Sequence, residues 1–156
     1  MSRRSCVKKV RIWITIIAVV SVLFVGSTAT PAAAGTCTTQ WCGGVVSNNS
    51  SSSIAVTNCW PGTSTRYYGD TLSCMTNGWA YNKRNAGMLL GRGDSTLSYY
   101  YYYDTDGFRV FKGCKVIGYW GGLGGTPFSF DRHGYSTSMW VKINNWDYVY
   151  ISSITC

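Results

Sequence analysis

SYYYYYDTDGFRVFKGCKVIG, Ser98 to Gly118, is the stretch on which the reading of the fold turns. Five consecutive tyrosines, Tyr99 to Tyr103, run into Asp104-Thr105-Asp106-Gly107. Phe108 to Phe111 follows, then Lys112-Gly113 and the run Cys114 to Ile117. Aromatic and β-branched residues suit a pleated, half-buried surface, and Asp-Gly and Lys-Gly punctuate them as turns do. The stretch therefore predicts a β-meander of three strands and two turns. In its first strand, alternation would put Tyr99, Tyr101 and Tyr103 on one face and Tyr100 and Tyr102 on the other. Gly107 would supply the positive φ of a hairpin turn at Asp106-Gly107.

The same signals recur outward from this stretch. Ile54 to Thr57 reads as a strand stopped at Cys59-Trp60-Pro61-Gly62, because proline removes a ladder donor. Arg66 to Tyr68 and Thr71 to Met75 read as short strands about Gly69-Asp70. Asn77-Gly78 predicts a hairpin between Leu72–Thr76 and Trp79–Tyr81. Met88 to Leu90, Phe128 to Phe130, Ser138 to Ile143 and Trp146 to Ile151 complete the predicted strands, with a glycine-rich bend at Gly121 to Gly125. Ser47 to Ser53 is too polar to contribute core. No segment of ~10 or more residues shows helical periodicity with caps. The expected fold is all-β: a small, disulfide-stapled antiparallel sandwich or barrel.

Residues 1–34 read as a removable leader. Arg3, Arg4, Lys8, Lys9 and Arg11 form a basic start, Ile12 to Val25 is apolar, and Ala32-Ala33-Ala34 offers a small-residue cleavage site. The apolar run is shorter than the ~18 to 20 residues that cross a membrane, so no stable anchor is expected after cleavage. Ser2-Arg3-Arg4 also resembles a twin-arginine signal, although the strongly hydrophobic run suits the general secretory route better. A single secreted β-rich domain over residues 35–156, monomeric and extracellular, is the expected product. Once the leader is removed, nine of the 14 basic residues face six aspartates, a net charge of +3. That charge is too small and scattered to argue for nucleic acid.

Cys6 leaves with the leader, so Cys37, Cys42, Cys59, Cys74, Cys114 and Cys156 remain. An even count in an exported chain points to disulfides; six cysteines allow 15 connectivities. Pairing neighbours, Cys37 with Cys42, Cys59 with Cys74 and Cys114 with Cys156, is the expectation adopted. Zinc is disfavoured, since paired C-x-x-C elements are missing and His133 alone could add an imidazole.

Among residues that could carry function, aromatics dominate. Exposed rings serve sugar stacking or protein contact, whereas buried ones replace aliphatic core. The expected contact residues are Tyr100, Tyr102, Trp120 and Trp146, with Arg109 and Lys112 adding weak attraction for anions. Asp104-x-Asp106-Gly107 resembles a fragment of a calcium loop but lacks its later oxygen ligands and distal glutamate; a plain turn, with no metal or cofactor, is expected. Arg92-Gly93-Asp94 reads as a polar turn. Asp131-Arg132-His133 holds the sole histidine. No nucleophile elbow or carboxylate-pair signature accompanies it, so an enzyme is not expected.

SSSIAVTNCW (Ser51 to Trp60) and DTDGFRVFKGCKV (Asp104 to Val116) resemble uncharacterised small secreted proteins of high-GC Gram-positive bacteria. The resemblance covers about half of the mature chain. It implies export and one β domain, and it nominates no catalytic residue. The expected activity is recognition through exposed aromatics, of cell-wall polysaccharide or an extracellular protein. A protein-directed inhibitor or toxin-like protein is the alternative, and a small hydrolase a remote one.

Overall fold

Ten strands build the domain in the computed structural model, which describes residues 37–156. The expected leader and its export signals lie outside the described residues. The strands are β1 (Val45–Asn48), β2 (Ile54–Thr57), β3 (Arg66–Tyr68), β4 (Gly87–Leu90), β5 (Asp94–Ser95), β6 (Gly107–Val110), β7 (Lys115–Trp120), β8 (Thr126–Asp131), β9 (Met139–Lys142) and β10 (Tyr148–Thr155). One sheet has the order β5-β1-β10-β7-β8, the other β3-β9-β6-β2-β4. Two separate sheets make a sandwich and rule out the closed barrel. Strand pairing is antiparallel as expected, apart from β1 and β10, which pair in parallel.

Burial explains why the strands read differently in the sequence. The main core lies between the sheets. Val46, Val116, Val149 and Ile151 from the first sheet meet Ile54, Val56, Leu90, Phe108, Val110 and Val141 from the second. Phe108 is fully buried, with the rings of Phe128, Phe130 and Trp120 5.7–6.2 Å from its own. Burying such a ring contributes roughly 2–3 kcal/mol. The second sheet is covered on its other face as well, where Ala55 and Trp140 pack under Cys59, Trp60, Leu72 and Met75. β2 is therefore buried at all four positions and reads as an unbroken apolar run. β10 has one wetter face and largely alternates.

The tyrosine run corrects the reading that opened the sequence. It is not a strand: Thr96–Ser98 and Tyr100–Tyr102 form two 3-10 turns, the first capped by Ser95, whose hydroxyl accepts from the Leu97 N–H. Side chains three apart then point the same way. Tyr99 packs partly against the core and Tyr102 is fully buried, whereas Tyr100 and Tyr101 face water. Hydroxyls decide the outcome: Tyr99 donates to Asp94 Oδ2 at 2.6 Å and Tyr102 to the Ala80 carbonyl at 3.1 Å.

The meander is corrected too. β6 pairs with β2 and β9, and β7 with β10 and β8, so the Phe111-to-Cys114 turn crosses from one sheet to the other. Gly113 makes this possible at φ 74°. Gly107 begins β6 and does not adopt positive φ. Its missing side chain admits Trp60, whose ring would lie 2.6 Å from a Cβ there. Asn77-Gly78 does turn the chain, with Gly78 at φ 60°, but strands do not flank it. Leu72 and Met75 are drawn down onto the second sheet instead.

Disulfides join Cys37 to Cys42, Cys59 to Cys74 and Cys114 to Cys156, the pairs adopted from the sequence. The second staples the covering loop, and the third ties the sheet-crossing turn to the end of β10. Three bridges fit an oxidising compartment. Among the described residues no helix is long and apolar enough to cross a membrane.

Candidate functional site

Strand register places one row of side chains across the outer face of the second sheet: Leu89, Ala55, Arg109, Trp140 and Tyr67. The covering loop lies over the Trp140 end of this row and stops short of the β4 edge. An open groove of about 580 Å³ remains, lined by Trp79, Ala80 and Tyr81 of the loop, Met88 and Leu89 of β4, and Arg109 and Phe111. Its volume falls within the usual range for ligand sites. Trp79 is 47% exposed and Tyr81 66% exposed, and Leu89 also stands out from the surface. Trp79 is held from below by Trp140, with ring centroids 6.3 Å apart and planes 29° from parallel.

Arg109 anchors the floor. Its guanidinium lies 4.5 Å from the Phe111 ring centroid and about 6 Å from those of Trp79 and Trp140. Two of its nitrogens donate to the Asp70 carbonyl and to Asp70 Oδ1, each at 2.7 Å, and a third bond of 3.2 Å reaches Ser138 Oγ. Burial, with 11% of the side chain exposed, pushes the guanidinium pKa down, and the Asp70 charge partly opposes this. Its Nε is buried without a partner. The result is a fixed, planar donor at the base of an aromatic cleft, a shape that suits rings bearing hydroxyl groups.

The other residues expected to form the site do not gather here. Tyr102 is 0% exposed and serves as core, so its role as a contact residue is corrected. Trp120 is half-buried, 5.2 Å from Phe128, and lines a second recess at the open edge between the sheets. Lys112 is exposed in the sheet-crossing turn, away from the groove, where its N–H donates to Ser138 Oγ at 3.1 Å. Tyr100 is exposed but packs against Tyr101 and Tyr103. Trp146 is 76% exposed at φ 72°, far beyond what a bulky side chain adopts without support. Only Arg109 lies in the groove. Trp79, Tyr81 and Phe111 were missed as site residues; the signal available was Trp79-Ala80-Tyr81, two rings at a spacing of two.

His133 meets Asp131 at 2.9 Å, but both side chains are about half exposed and neither lines the groove. The His133 backbone N–H, followed by its ring, holds the Asp131 carboxyl below its ordinary pKa. Among the described residues, no group of three or more His, Cys, Asp or Glu side chains is placed to hold a metal. Protein-family models, curated proteins and solved structures contain no match to this chain, so the site's own chemistry carries the functional reading.

Proposed function

We propose that the chain is a secreted recognition domain that binds polysaccharide in the groove at Trp79, Tyr81 and Arg109. One observation carries the reading: two exposed rings flank a guanidinium that is already ordered by Asp70 and three aromatic neighbours. Sugar rings present apolar C–H faces to aromatics and hydroxyls to donors, and such a cleft meets both needs with little ordering cost. Binding rather than catalysis is the assigned activity. Arginine, the only ionisable group of the lining other than a tyrosine, stays protonated at neutral pH and is unsuited to proton transfer.

Purified, oxidised protein should be retained on insoluble cell-wall or polysaccharide fractions, and retention should survive 0.5 M salt, where screening acts over ~4 Å. Trp79→Ala and Tyr81→Ala should abolish retention while Trp146→Ala keeps it. Retention lost in salt would assign binding to the net charge of +3 and reject the groove. Absence of retention would favour the second reading, a protein-directed inhibitor. That reading draws on Leu123, strongly exposed at the tip of the Gly121-to-Gly125 loop between β7 and β8.

A further inference from the structure

Away from the groove, three segments converge on the stretch before β6. Thr105 N–H donates to the Gly44 carbonyl at 3.1 Å, Ile143 N–H to the Asp106 carbonyl at 2.8 Å, and Trp146 N–H to the Gly43 carbonyl at 3.3 Å. The backbones approach so closely that a Cβ on Gly43 would strike an Asp104 carboxylate oxygen, and one on Gly44 would strike the Thr105 carbonyl. Into this junction the chain directs two of its six aspartates. Asp104 is 5% exposed; both of its carboxylate oxygens, and Asp106 Oδ2, are buried and accept no hydrogen bond. They are three of the five such orphaned side-chain atoms among the described residues.

Ionised carboxylates are not left without partners in a protein interior at small cost; they are protonated, hydrogen-bonded or shared with a cation. Among the described residues no donor reaches these three oxygens. Burial raises the pKa of both carboxyls, and the Asp104 charge raises that of Asp106 further. Arg84 and Lys142 supply opposing positive charge without hydrogen-bonding the three orphaned oxygens. A hard cation shared by the two carboxyls would supply the missing partner, and would draw further ligands from water and backbone carbonyls.

We propose that Asp104 and Asp106 form a calcium site that clamps the junction of the Gly43–Gly44, Tyr103–Asp106 and Ile143–Trp146 segments. Oxygen donors of irregular geometry suit calcium better than magnesium, which demands near-octahedral ligands. With two carboxylates and no third acidic or imidazole ligand among the described residues, affinity falls in the weak range of extracellular modules, a Kd of about 0.1–1 mM. The site does not depend on the groove or on its ligand.

Calorimetric titration of chelator-stripped protein with CaCl₂ at pH 7.5 should give one site in that range. Five millimolar CaCl₂ should raise the Tm by roughly 5 °C, with MgCl₂ giving a smaller rise. Asp104→Asn and Asp106→Asn should abolish both effects. Absence of heat and of any Tm rise in the wild-type protein would overturn the site. A calcium response preserved in both folded variants would overturn it equally. Should a variant fail to fold, the wild-type titration decides alone.

Discussion

Replacing Cys156 by serine isolates the contribution of the bridge that ties β10 to the sheet-crossing turn. Cys156 is exposed, so the substitution disturbs no packing, and the thiol left at Cys114 stays buried. The change acts on the unfolded chain, which regains the freedom of a loop closed over a sequence separation of 42. Loop-closure entropy for that length amounts to about 4 kcal/mol at 25 °C. The same relation gives about 3 kcal/mol for Cys59–Cys74, at a separation of 15, and about 2 kcal/mol for Cys37–Cys42, at a separation of 5. In a domain of this size Cys156→Ser should lower Tm by roughly 15 °C and Cys42→Ser by roughly half as much. Urea unfolding followed by tryptophan fluorescence, with all variants under identical oxidising conditions, measures the series. A Cys156→Ser protein no less stable than Cys42→Ser would refute the reasoning, because loop length would then not govern the stabilisation.

Three further outcomes follow from the packing. Tyr102→Phe should cost about 1 kcal/mol through its lost bond to the Ala80 carbonyl, while Tyr100→Phe should change stability by less than ~0.5 kcal/mol; equal losses in chemical denaturation would contradict the 3-10 assignment. In chelating buffer, Asp106 makes stability fall as pH rises. Its folded pKa of about 7 exceeds the ordinary 3.8, so the folded state holds the extra proton between those values. The loss is on the order of 4 kcal/mol, complete above pH 7, and Asp106→Asn should flatten this profile in thermal melts from pH 4 to 8. Gly118→Ala should prevent folding or cost more than ~3 kcal/mol, because the new Cβ would strike the Tyr150 carbonyl in the paired strand β10; near-wild-type circular dichroism and Tm would contradict that register.

Strands flanked by strong punctuation were legible in the sequence. Ile54 to Thr57 stops before Cys59-Trp60-Pro61-Gly62 and matches β2 residue for residue, and Met88 to Leu90 falls one residue short of β4. The tyrosine run misled because β propensity reflects fit to a half-buried sheet, whereas here two hydroxyl bonds and a Ser95 cap select a period of three. Which sheet each strand joins was not legible, since Lys112-Gly113 reads alike whether it reverses a hairpin or crosses between layers. Arg109 was legible as a charge near aromatics, but not as the floor of a groove. Its neighbours Trp79, Phe111 and Trp140 come from separate segments that only the folded sheet and the stapled loop bring together. Asp104 and Asp106 read as a plain turn because nothing local announces that Gly43 and Gly44 will close over them.

Strand order within the first sheet also constrains when the protein can fold. β10 is the central strand of that sheet, yet it follows every other strand in the chain. Its partner β1 comes first, and the bond between Ser47 and Tyr148 spans a sequence separation of 101. Without β10 the chain holds a β5–β1 pair and a β7–β8 pair with no strand to join them, and the Cys114–Cys156 bridge cannot form. Closure of this sheet waits for β10 and, being dominated by distant pairings, is slow. Until β10 is in place, the edges of β1 and β7 that it will fill stand unpaired and open to strands of other chains.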